Sequence, residues 1–96
     1  MNLKNIEDNQ LLNNFTGLVA QEKEITASVV RYLSEIFRRR LFAQEGYSSL
    51  FSYLVEKYHY SRSSAYRRIQ AAKLSLRFPK IIDLLAKGGL NLMAVC

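Results

Sequence analysis

Apolar residues return at helical intervals along nearly the whole chain. From Asp8 onward Leu11, Leu18, Ile25 and Tyr32 recur every seven residues, and Phe15, Val29 and Ile36 interleave in an offset series whose second place is Glu22. This pattern predicts one long amphipathic helix from about residue 9 to about residue 39, within a segment spanning 8–40. Unbroken, such a helix is roughly 45 Å long, more than the width of a compact domain of this size. Gly17 marks the place where it would bend or break, because Gly in a helix interior costs about 1 kcal/mol relative to Ala.

The end of that helix is signalled by Arg38, Arg39 and Arg40, cations set where the helix dipole is negative. A short segment from Leu41 to Glu45 leads to a turn at Gly46, after which Ser48 and Ser49 are natural N-caps. The next helix carries Leu50, Phe51, Leu54, Val55 and Tyr58 on one broad arc, with Ser52, Glu56 and Lys57 outside it, and His59 and Tyr60 interrupt it. Ser61 is the predicted cap of a following helix whose buried stripe is Ala65, Ile69, Ala72 and Leu76. Phe78 and Pro79 end it. Pro79 suits the first turn of a further helix bearing Ile81, Ile82, Leu84 and Leu85, and Gly88 and Gly89 terminate that one. Leu90 to Cys96 would begin another helix too short to complete. With no alternating strand pattern and no repeat, the expectation is a single all-α domain over 1–96, its long N-terminal helix packed on a helix-turn-helix-like bundle of short helices over 46–92.

The composition of the 96 residues agrees with a globular chain: 49% hydrophobic, 23% charged, one Cys and one Pro. Charge is unevenly placed. Residues 1–30 hold two basic and four acidic side chains, residues 31–96 twelve basic and four acidic, so the overall +6 resides in the C-terminal two-thirds. Such a surface suits phosphate-bearing partners or acidic membranes, the alternative being a merely basic soluble protein. The apolar clusters at 81–86 and 90–95 fall far short of the roughly 20 residues a spanning helix needs, so no membrane partner is expected. A lone Cys96 and the absence of a leader pattern point to a cytoplasmic protein.

Candidate chemistry is narrow. His59 is the sole His and Cys96 the sole Cys, so one chain assembles neither a Cys/His zinc site nor a Cys/His or Ser/His/Asp nucleophile. Phosphate-binding glycine motifs are missing as well. The expectation is a protein that is not an enzyme, with no metal, cofactor or small-molecule substrate.

The stretch from Ser48 to Arg77 carries the most information, since two short helices joined by about three residues form the arrangement of a helix-turn-helix. With the second helix centred on Ala65, Ile69 and Ala72, the opposite face holds Ser63, Arg67, Gln70 and Leu74; Arg62, Tyr66, Lys73 and Arg77 lie on one flank, Ser64 and Arg68 on the other. Arg and Gln make bidentate hydrogen bonds to guanine and adenine edges, while flanking Arg, Lys and Ser hold phosphates. The expected DNA-binding residues are therefore Arg62, Ser63, Ser64, Arg67, Arg68, Gln70, Lys73 and Arg77. An ordinary helical hairpin with a solvated basic face is the competing reading, and an outward Leu74 implies a neighbour covering part of the face. Tyr47, Tyr53, Tyr58, Tyr60 and Tyr66 are dense enough to stack on bases, or to pack the helix corners.

The run from Arg39 through Leu92, with Gly46-Tyr47-Ser48-Ser49-Leu50-Phe51-Ser52-Tyr53, Ala65-Tyr66-Arg67-Arg68-Ile69-Gln70-Ala71-Ala72 and Arg77-Phe78-Pro79, resembles the helical region preceding the nuclease domain in bacterial HNH endonuclease-like proteins. The resemblance implies a DNA-associated context. In that family, histidines and an asparagine of a C-terminal HNH domain bind the metal and activate water; the sequence here ends at Cys96 without them, so the activity is not implied. Where the family has acidic residues after the Ser that starts the Tyr-Arg-Arg helix, this chain has Arg62, Ser63 and Ser64. The expected function is a non-catalytic DNA-binding or DNA-associated module. The alternatives are a protein–protein interaction module, or a truncated endonuclease remnant without independent function. A homodimer joined through the N-terminal helix is expected, because three short helices are too few to cover its whole apolar stripe.

Overall fold

The computed structural model describes residues 2–93. The order of elements is α1 (Asp8–Arg39), α2 (Leu41–Gln44), α3 (Leu50–Ser52) continuing into a π-helical turn (Tyr53–Lys57), α4 (Arg62–Arg77) and α5 (Lys80–Lys87), with no strand among the described residues. The fold is all-α, and the long helix packs against the shorter ones as the periodicity predicts. α1 runs 32 residues without interruption at Gly17. It sets the 49 Å length of a molecule only 28 by 18 Å across, and the radius of gyration of 16.1 Å exceeds the about 12–13 Å of a compact chain this size. The first half of α1 projects beyond the body: every residue from Asp8 to Leu18 is exposed.

Local chemistry explains the boundaries. The chain leaves α1 through Arg40, whose φ of 54° is left-handed and whose N–H returns to the Phe37 carbonyl, while its guanidinium lies over the Phe42 ring. Ser49 Oγ accepts the Ser52 N–H and Ser61 Oγ the Ser64 N–H, capping α3 and α4 as expected. Gly88, at φ 78°, closes α5 in the left-handed region. Leu90 to Met93 is not helical, and Ala94 to Cys96, with the lone thiol, lie outside the described residues.

Two helix faces depart from expectation. On α1 the buried residues are Ala27, Val30 and Leu33, whereas Leu11, Leu18, Ile25 and Tyr32 of the seven-residue series all face solvent. At 100° per residue the two faces lie about 130° apart, more than a third of a turn. α4 and α5 settle on the Ala27–Val30 face because small residues there permit close approach: Ala71 and Ala72 of α4 are fully buried and Ser75 nearly so, its hydroxyl satisfied by the Ala72 carbonyl. For the same reason Leu76, expected in the buried stripe, is 42% exposed. The second departure is the π turn. Leu50 and Leu54 are buried and Phe51 and Val55 half-buried, as the expected arc has them, but Tyr53 joins them in the core while Tyr58 is 52% exposed, and the π turn ends with the Tyr60 N–H on the Leu54 carbonyl.

Candidate nucleic-acid interface

α3 and its π turn pass to α4 through a short corner, Tyr58–Ser61, in which His59 takes a φ of 60°. A ring-and-charge cluster stiffens the approach to this corner. Tyr47 and Tyr58 each meet the Tyr53 ring edge-on at 5.3 and 5.4 Å, and Lys57 lies over both Tyr53 and Tyr58 while bonding Glu45. The Tyr53 hydroxyl donates to Glu45 at 2.9 Å. Lys57, and then Tyr53, hold the Glu45 carboxyl below its usual range. The Tyr58 hydroxyl, burial and the nearby carboxylate push Tyr53 up to about 12. Three of the five densely spaced tyrosines thus pack a corner.

α4 itself carries Arg62, Arg67, Arg68, Lys73 and Arg77 and no acidic residue. Its orientation is fixed by the burial of Ala65, Ile69, Ala71, Ala72 and Ser75. The face left open holds Arg62, Ser63, Tyr66, Lys73 and Arg77, all exposed, with Gln70 half-buried among them. The spacing of 62, 66, 70, 73 and 77 makes a strip about 22 Å long on one side of the helix. Aromatic neighbours hold its cations: Arg62 over Phe51 at 5.4 Å, Lys73 over Phe37 at 5.2 Å and Arg77 over Phe78 at 5.9 Å.

The remaining predicted residues sit elsewhere. Ser64, Arg67 and Arg68 are half-buried and border a hollow shared with Glu22 and Thr26 of α1 and with Leu92. Arg67 Nη1 lies 3.2 Å from Met93 Sδ; Arg68 donates to the Ser64 carbonyl and hydroxyl and lies over the Tyr60 ring. Leu74 is half-buried, so the outward face anticipated around Arg67 and Leu74 is partly covered, as that leucine suggested. The expected set therefore divides: Arg62, Ser63, Gln70, Lys73 and Arg77 share the open strip, and Ser64, Arg67 and Arg68 face α1. The residue that sequence reasoning left on a flank is Tyr66, 51% exposed at the centre of the strip. The signal that would have placed it there is the run of small residues Ala71, Ala72 and Ser75, which sets the helix phase more firmly than the larger Leu76.

The described residues thus define an all-α protein with one acid-free helix bearing a solvent-facing cationic strip. They gather no group of three or more potential metal-ligating His, Cys, Asp or Glu side chains, and no described helix is long and apolar enough to cross a membrane. No protein-family model, curated protein or solved structure matches the chain.

Proposed function

We propose that this protein is a non-catalytic DNA-binding module that lays the open face of α4 against a duplex. The observation that carries the proposal is the strip of Arg62, Tyr66, Gln70, Lys73 and Arg77, aligned on one exposed side of a helix without a single carboxylate. A helix of this width enters a major groove, where Gln70 reaches an adenine edge and Arg62, Lys73 and Arg77 meet phosphates on either wall. Aromatic contacts limit the freedom of those cations before binding, which lowers the entropy lost on contact. The alternative of a solvated hairpin face accounts for exposure. It gives no reason for five cations and no acid on a 16-residue helix. The resemblance to the helical region of HNH endonuclease-like proteins supports the same DNA-associated context.

The test is fluorescence anisotropy of a random-sequence duplex across a salt series. Neutralising about four phosphates gives a slope of log K against log salt of roughly −3 to −5. Replacing Arg62, Lys73 and Arg77 together by Ala reduces the slope by about three, and Lys4→Ala leaves it unchanged. An absence of binding at low salt, or an unchanged slope in the triple variant, overturns the proposal.

A further inference from the structure

The first half of α1 projects beyond the bundle with only the N-terminal segment, through Leu3, beside Leu11, Phe15 and Leu18, and one of its exposed sides is apolar. Phe15 and Leu18 are 63% and 61% exposed, and on the same side farther along the helix Ile25 and Tyr32 are 62% and 68% exposed. At that second half the stripe deepens into a groove, because Tyr58 and Tyr60 of the corner rise beside Ile25, Val29, Tyr32 and Ile36. One chain therefore carries an apolar ridge on a projecting arm and an apolar groove beside its body.

We infer that the ridge of one copy fills the groove of another, in an antiparallel two-fold dimer centred between Lys23 and Glu24. The positions themselves select this geometry. Leu11 and Ile36, Phe15 and Tyr32, and Leu18 and Val29 are each placed symmetrically about that midpoint. Turning one α1 end for end sets Leu11 against the partner's Ile36, Phe15 against the partner's Tyr32 and Leu18 against the partner's Val29. A two-fold interface must be self-complementary in this way. The seven-residue recurrence keeps the seam facing the partner over four turns and more, as in a two-stranded coil. Extent agrees as well. With about 150–250 Å² for a whole aromatic side chain, the stripe and the corner tyrosines present on the order of 700 Å², close to the about 800 Å² per partner of a stable interface. A parallel pairing would leave both grooves empty and stack the bodies on one another.

Sedimentation equilibrium of the full chain at micromolar concentration reads the outcome. The expected mass is twice the 11.1 kDa of one chain. Phe15→Lys and Tyr32→Glu alone each weaken association by at least about 100-fold, since each sets a charge against an apolar neighbour. Combined, they restore it, because the antiparallel register places each new charge against its opposite on the partner; in a parallel pair like charges would meet and the double variant would stay apart. Circular dichroism of each variant confirms retained helicity. A wild-type mass of one chain, or a helical double variant that remains monomeric, overturns the inference. No DNA is present in the assay, so its failure is distinguishable from failure of the α4 interface.

Discussion

The phase of α4 decides which side chains reach a groove, and a pair of truncations measures it. Hydrophobic spacing alone makes Ile69 and Leu76 equal members of one buried stripe; the fold makes Ile69 6% exposed and Leu76 42% exposed. Ile69→Ala removes three carbons from a core that includes Leu50, Leu54, Ala65 and Leu85. Nearly all of that side chain is out of water, so both the transfer loss and the cavity count, and the expected cost is about 3 kcal/mol within the 2–5 kcal/mol typical of buried Ile→Ala changes. In a domain of this size each kcal/mol shifts the melting temperature by about 4–8 °C, so Tm falls by roughly 12–24 °C. Leu76→Ala gives up far less, because the side chain retains much of its contact with water and leaves no enclosed void; about 1 kcal/mol or less is expected. Urea unfolding followed by circular dichroism, with the two m-values compared, supplies both numbers. Equal costs would refute the phase, and with it the strip through Tyr66 and Lys73.

The Glu45 carboxyl, held below its ordinary 4.5 by Lys57 and Tyr53, contributes stability that is present above pH 4.5 and lost as pH falls through the lower folded-state value; Tm measured against pH in wild type and Glu45→Gln should show the extra acid-side fall only in wild type. Two glycines in different backbone settings should respond oppositely. Gly17→Ala, in an open helix position with nothing near its added carbon, raises the helical signal and gains about 0.5–1 kcal/mol, whereas Gly88→Ala, at φ 78° beside the Lys23 side chain, loses about 1 kcal/mol in urea unfolding.

Local punctuation was legible in the sequence because each signal acts within a few residues. Ser49 and Ser61 cap the helices they precede, Pro79 opens α5, Gly88 closes it, and the recurrence from Leu11 to Ile36 predicted a helix whose observed limits are Asp8 and Arg39. What the sequence concealed was which face of each helix meets its neighbours. α1 has two apolar sides, and size ranked them wrongly: bulky Leu18, Ile25 and Tyr32 look like core, but Ala27 and Val30 face the bundle. The same bias put Leu76 inside on α4, where Ser75 is buried instead. Close helix contact selects small side chains, a constraint set by the partner's distance and therefore invisible in one helix's pattern. The burial of Tyr53 is invisible for a similar reason, since it is set by partners beyond its own helical turn: the Glu45 carboxylate and the Tyr47 and Tyr58 rings that meet it. The candidate site inherits these errors: its residue types were legible, and its division between open strip and covered flank was not.

The two misplaced faces have one consequence in common. Because α4 reaches α1 through Ala71, Ala72 and Ser75 on the Ala27–Val30 side, it neither covers the Leu18–Tyr32 stripe nor turns Arg62, Tyr66, Lys73 and Arg77 inward. Had α4 docked through larger residues onto the bulkier stripe, the apolar seam would be consumed within one chain and the basic face would stand in another direction. Small-residue packing instead leaves an apolar surface and a cationic surface on different sides of one small body. An apolar seam does not compete with phosphates for the same side chains, and a cationic helix does not weaken a seam more than a third of a turn around α1 from the helix's own docking face. Substitutions in one surface are therefore separable from those in the other, so that association and DNA contact can be assayed in the same protein one at a time.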